Sequence, residues 1–249
     1  MTLPLRRWLG LSMGVVLIAG GCGGKPSTSH VTVVLFHVTG STYKGNVRLQ
    51  YLKDFAKVLA GVAEGSILVA DVIDDNPLAH SSYPINVSFD RFKPMNENKL
   101  DYERRIRQQR DEVMKQAEAI VRKPPSGRLG HNILDAMQLA ERAFAAFQAD
   151  HELLVLFSDM IEQSKRYDFT GENLTAGRIN QIIAAERSAD RLPDLRGVEV
   201  CVVGAGASPS GGLPPERLLA IRQFWLEYFQ ATGANLPKER YGSALLKCP

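Results

Sequence analysis

The sequence predicts an α/β fold: a doubly wound, mostly parallel central sheet with helices on both faces, in a single domain. Three observations carry that expectation. Short β-branched runs alternate at least four times with stretches of helical period. The run "ELLVLFSD" is continuously apolar, as a parallel strand covered on both faces must be. A chain of 249 residues with 45% hydrophobic content can bury one large core without a second domain.

The chain opens on "MTLPLRRWLGLSMGVVLIAGGCGG". Arg6 and Arg7 form a positive head, and residues 8–19 are an apolar run too short to span a bilayer comfortably. Small residues Ala19, Gly20 and Gly21 stand directly before Cys22. The segment resembles a bacterial lipoprotein signal, which implies removal of residues 1–21 and lipidation of Cys22. Ala19 and Gly21 also suit ordinary secretion, so that alternative stays open. Residues 22–30 then read as the lipidated cysteine and a flexible linker, "GGKPSTSH", reaching only about 16 Å as a random coil. Gly23, rather than Asp, follows Cys22. In a cell with two membranes the outer one is favoured.

The domain is expected over residues 31–249. "HVTVVLFHV" is the first strand, and Tyr51, Leu52, Phe55, Val58, Leu59 and Val62 give the helix after it. "SILVADVID" is the second strand, ending in Asp71, Asp74 and Asp75, and "INVSF" is a short strand candidate. A charged helix over residues 100–121 stops at Pro124 and Pro125. Asn132, with Asp135 three residues on, is the expected cap of a helix presenting Ile133, Met137, Ala140, Phe144 and Phe147. "ELLVLFSD" is followed by a helix over residues 172–189. "GVEVCVVGAG" is a further strand, and Pro214 and Pro215 lead into the last helix.

Charge excludes one class of partner. The net charge is +3, of which Arg6 and Arg7 supply two, and the cations of residues 100–121 interleave with Glu103, Asp111, Glu112 and Glu118. No nucleic-acid partner is expected. Cys201 and Cys248 are the remaining cysteines, in an oxidising compartment; they form a disulfide, or Cys201 is simply a small buried residue. "GAGASPSGG" departs from the G-x-G-x-x-G spacing and reads as a rim loop rather than a phosphate cradle. No G-x-S-x-G elbow exists, and His80 and His151 read as solvated loop residues.

In open parallel sheets ligands bind beyond the C-terminal strand ends. Three stretches stand there or beside a helix start: "VVLFHVTGST", "SGRLGHNILDAM" and "LLVLFSDM". In that order and at those separations they resemble a von Willebrand factor A domain, a Rossmann-like fold with a metal-ion-dependent adhesion site above its sheet. The C-terminal "FWLEYFQATGA" and "RYGSALL" are similar to bacterial lipoproteins of this type. The resemblance covers roughly residues 31–246. It implies an Asp-x-Ser-x-Ser loop, a Thr and an Asp around a divalent ion. Here the five positions read His37, Thr39, Ser41, His131 and Asp159.

Two of those positions depart from the pattern, and both departures are to histidine. Magnesium demands octahedral oxygen ligation, so exchanging an acid for His37 and a hydroxyl for His131 makes a poor magnesium site. Three readings remain open. The site is metal-free, with His37 bonded to Asp159 or Ser41. Alternatively, a weak Mg²⁺ or Ca²⁺ site survives with Asp74 or Asp75 replacing the lost acid. In the third, His37, His131 and Asp159 suit Zn²⁺ or Ni²⁺ better than Mg²⁺. No cofactor is certain.

The expected function is therefore that of a cell-envelope lipoprotein, anchored to the membrane by its lipid. Its domain binds an envelope protein through the C-terminal strand edge, where Thr42 and Ser208 are expected at the surface. No catalytic motif is convincing. The alternative is a zinc-dependent envelope hydrolase using His37, His131 and Asp159, with Glu162 as the nearby candidate base.

Overall fold

The computed structural model describes residues 28–43, 46–124, 130–147, 149–207, 212–245 and 247–248. The expected signal peptide, Cys22, residues 23–27 of the linker, and Ser208 lie outside the described residues. β1 (Thr28–His37) already includes residues 28–30, assigned above to the linker.

The sheet has six strands in the order β3-β2-β1-β4-β5-β6. These are β1, β2 (Ser66–Ile73), β3 (Ile85–Ser88), β4 (Ala149–Phe157), β5 (Glu199–Val203) and β6 (Tyr241–Gly242). Every neighbouring pair is parallel except β2 with β3, which is antiparallel. β1 is central, and Val31, Val33, Val34, Leu35 and Phe36 are all buried, so its β-branched run is paired on both edges and covered on both faces. β3 lies at the rim, where only Ile85 of its four residues is buried.

The winding puts α2 (Val47–Gly61) and α3 (Lys99–Val121) on one face, against Val34, Phe36, Val155 and Phe157. On the other face α4 (Ile133–Ala145), α5 (Ala176–Ser188) and α6 (Pro215–Thr232) pack against Val33, Leu35, Leu154 and Leu156. The doubly wound α/β architecture expected from the alternation is the one observed. A four-residue turn of helix, α1 (Gly40–Tyr43), follows β1 directly.

Caps fix the helix ends. The Asn132 side chain accepts from Asp135 N–H at 3.0 Å and starts α4 where the sequence placed it. α5 begins at Ala176 rather than near 172, because Thr175 takes the cap and accepts from Arg178 N–H at 3.3 Å. α6 starts on Pro215 and ends at Gly233, whose φ of 81° is the left-handed cap that glycine adopts without strain. Cys201, on β5, is bridged to Cys248 with the Cα atoms 5.9 Å apart, which ties the C-terminal segment to the α2–α3 face.

Candidate functional site

Three chain segments deliver the site. β1 ends at His37, β4 ends just before Ser158 and Asp159, and His131 stands two residues ahead of α4. Because β1 and β4 are adjacent and parallel, with Phe36 beside Phe157, their C-terminal ends meet at one height. His131 is brought in by backbone pairing with Gln163, at 2.8 Å from His131 N to the Gln163 carbonyl, while Asn132 N–H donates to the Asp74 carbonyl at 2.8 Å. Potential ligand atoms of His37, His131 and Asp159 lie within 4.8 Å of one another.

The cluster is closed. His37, His131 and Asp159 are 0%, 3% and 1% exposed. His37 uses both ring nitrogens: Nε2 is 2.7 Å from Thr39 Oγ1, and Nδ1 is 3.1 Å from Asp159 Oδ1 and 3.2 Å from Ser158 Oγ. The His131 ring is tilted against that of His37, with centroids 4.2 Å apart, and its Nε2 is buried without a hydrogen-bond partner. Burial, then the neighbouring His37, pushes His131 down to about 3. Burial alone would raise the Asp159 carboxyl; His37 beside it outweighs that and holds it below the usual range. Ile161 N–H also donates to Asp159 Oδ1, at 3.1 Å.

The sequence expected Thr39 among the site's hydroxyls, and it is there, facing His37 rather than a second carboxylate. The side chain of Ser41 lies outside what the structure describes. Thr42, expected at the surface, is fully buried: its hydroxyl donates to the carbonyls of His37 and Thr39 at 2.8 and 3.1 Å. A short polar side chain five residues past the strand's last residue folds back to cap that residue's carbonyl, and its polarity does not show that from sequence.

Neither Asp74 nor Asp75 joins the histidine cluster among the described residues. Asp74 is engaged by His80, the residue read as solvated. Its Nδ1 stands 3.1 Å from Asp71 Oδ1 and its Nε2 3.1 Å from Asp74 Oδ2. Desolvation would lower His80, but Asp71 and Asp74 override it and raise it. Asp71 inside an apolar strand was the signal available in sequence; its partner was not. Glu162 is fully buried, and its Oε2 accepts from Ile133 and Leu134 N–H at 2.7 and 3.2 Å, the first amides of α4. Its carboxyl is pushed up by burial to about 7.

Residues outside the cluster brace it. Arg48, which the sequence reading passed over, donates to the carbonyls of Thr39, Val121 and Lys123 at 2.8, 3.0 and 2.7 Å, pinning the loop after β1 to the end of α3. Gly206 N–H donates to the Asp159 carbonyl at 3.2 Å. Gly204 has φ 97°, and a Cβ there would lie 2.6 Å from the Tyr51 ring. The "GAG" glycines thus serve backbone conformation and close packing beside the site. Leu218, Leu219, Ala205 and Gly206 line a shallow groove of about 350 Å³ next to Asp159.

The oxygen ligation that magnesium needs does not fit these residues. Two of the three clustered groups are imidazoles, and the Thr39 hydroxyl is turned to one of them.

No family model matches the chain, and no curated protein does. Among solved structures, the proximal thread matrix protein 1 of the mussel byssus is similar at 10% identity and a TM-score of 0.45, over 88% of this chain and 42% of that one. Its second crystal form gives 12% identity and a TM-score of 0.40, over 78% and 39%. The chain spans about two fifths of the length of that protein.

Proposed function

We propose that the chain is a lipid-anchored cell-envelope module of the von Willebrand factor A type, which binds a protein partner with the loop edge at the C-terminal strand ends. The observation that carries the reading is the convergence of His37, His131 and Asp159, from three separate chain segments, into one buried cluster beneath that edge. A cluster closed in this way stiffens a surface. It does not offer a reaction pocket.

The hydrolase alternative is less well supported, because Glu162 is committed to the amides of α4 and stands fully buried. Exposed side chains on the edge suit binding: Tyr43 is 49% and Leu219 63% exposed. With an anchor at Cys22, β1 runs ten residues away from the tether, about 33 Å, so the edge faces away from the bilayer.

Two experiments test the parts separately. Cys22→Ser should release the chain into the soluble fraction; an unacylated wild type by mass spectrometry overturns the anchor. Gly40→Arg, at a position with nothing within 4 Å of an added Cβ, and Leu219→Glu should abolish partner crosslinking at unchanged stability. Crosslinks that map to the exposed face of α3 instead overturn the edge.

A further inference from the structure

The cluster under the edge has one feature that hydrogen bonding leaves unexplained. His131 Nε2 is buried, and no hydrogen-bond partner meets it. A buried ring nitrogen without a partner is a cost that folds seldom carry. The other candidate ligands are each held in place by a further group, as metal ligands are. Thr39 Oγ1 meets the far nitrogen of His37 at 2.7 Å, Ile161 N–H meets Asp159 Oδ1 at 3.1 Å, and a backbone hydrogen bond with Ile161 holds the His131 ring.

We propose that His37 Nδ1, His131 Nε2 and an Asp159 carboxylate oxygen bind a borderline divalent cation, Zn²⁺ in preference to Ni²⁺, in a closed structural site. Two imidazoles and a carboxylate are the donor set such ions select, and magnesium does not. In a tetrahedral zinc site with bonds near 2.0–2.1 Å, neighbouring ligand atoms stand about 3.4 Å apart. The His37 Nδ1 to Asp159 Oδ1 separation is 3.1 Å, and one ring nitrogen from each histidine and one Asp159 oxygen lie within 4.8 Å of one another. Zinc takes Nδ1 of a neutral His37, the single ring proton then standing on Nε2 and donated to Thr39 Oγ1, and only a second proton, if the ring carried one, leaves to solvent. Ser158 Oγ, 3.2 Å from the same nitrogen, and water are the candidates for a fourth ligand.

The inference goes beyond the binding role and does not depend on it. The full chain, purified in detergent and stripped with chelator, is titrated with ZnCl₂ against a chromophoric competitor, and separately with MgCl₂. One zinc per chain is expected, with no uptake of millimolar Mg²⁺. His131→Gln should weaken zinc binding at least 100-fold while keeping the far-ultraviolet circular dichroism of the parent. His30 and His151 stack at 4.8 Å near the opposite strand ends and are the obvious adventitious site, so His151→Gln is the control and should leave binding unchanged. CoCl₂ added to the unmutated chain should give the intense visible bands of a four-coordinate ion, a readout independent of any variant's folding. No stoichiometric zinc, equal binding by His131→Gln, loss in His151→Gln, or absent cobalt bands would each overturn the site. All are read without partner, so partner capture and metal uptake can fail independently.

Discussion

The indole of Trp225 on α6 donates to the carbonyl of Met160 at 2.8 Å, gripping the residue that follows Asp159. Met160 has φ 62°, a left-handed conformation that costs a residue with a β-carbon about 1–2 kcal/mol. The cost is met locally: Met160 N–H donates to Ser158 Oγ at 2.9 Å, and the Trp225 bond holds its carbonyl. Asp159, turned toward His37, is thus followed by a residue pinned to α6.

Trp225→Phe keeps an aromatic ring and removes only the donor. Leaving a buried carbonyl without its partner should cost about 1–3 kcal/mol, which lowers Tm by roughly 3–10 °C in a domain of this size. Calorimetry showing a change within 1 °C would mean that the bond adds nothing.

Arg48→Lys retains the charge and loses the fork. The guanidinium spans three backbone carbonyls and approaches Thr42 Oγ1 at 3.3 Å, a set that an ammonium on a straight stem cannot reach together. A loss of about 2–3 kcal/mol is expected, read as a lower urea midpoint at unchanged slope. An unchanged midpoint would show that water replaces those bonds.

Glu162 makes the fold sensitive to pH. Its carboxyl titrates near 4.5 when unfolded and is pushed by burial to about 7 in the native chain. Between those values the unfolded state has released a proton that the folded state keeps. Stability therefore falls as pH rises from about 4.5 to 7, by about 3 kcal/mol for this group alone, and is level above. Glu162→Gln keeps an acceptor for the α4 amides and should flatten that slope. Parallel stability curves for the two chains at pH 5 and pH 7.5 would exclude the effect.

His80 acts in the same direction by another route. Its ring is raised by Asp71 and Asp74 against the opposing effect of burial, so the stability it adds is complete below its unfolded value of about 6.5 and is lost as pH rises through the native one. The gap in stability between wild type and His80→Gln should be widest below pH 6 and narrow above neutrality. A gap that widens with rising pH would reverse the sign.

Cys248→Ser tests the bridge. Opening a 47-residue separation restores about 4 kcal/mol of unfolded-chain entropy. The variant, and the wild type in reductant, should unfold at the same reduced denaturant concentration. If reductant leaves the wild-type midpoint in place, the bridge adds no stability.

The sequence alone determined the alternation of strands and helices, because backbone pairing and burial impose a local period. The continuously apolar run of β4 had to lie inside the sheet, since its residues 153–157 have no polar face to show water. α4 had to begin just after Asn132, because a side-chain acceptor is needed there for an orphan amide. The residues of the loop edge were legible as a set, through strand ends, a helix start and the resemblance to a von Willebrand factor A domain. What they do to one another was not. His37 faces Asp159 across 122 positions of chain, His80 is wedged between Asp71 and Asp74, and Thr42 turns inward. Sequence shows that a side chain is polar; only the tertiary structure decides whether water or another buried group satisfies it, because that depends on which distant segments pack alongside and exclude solvent.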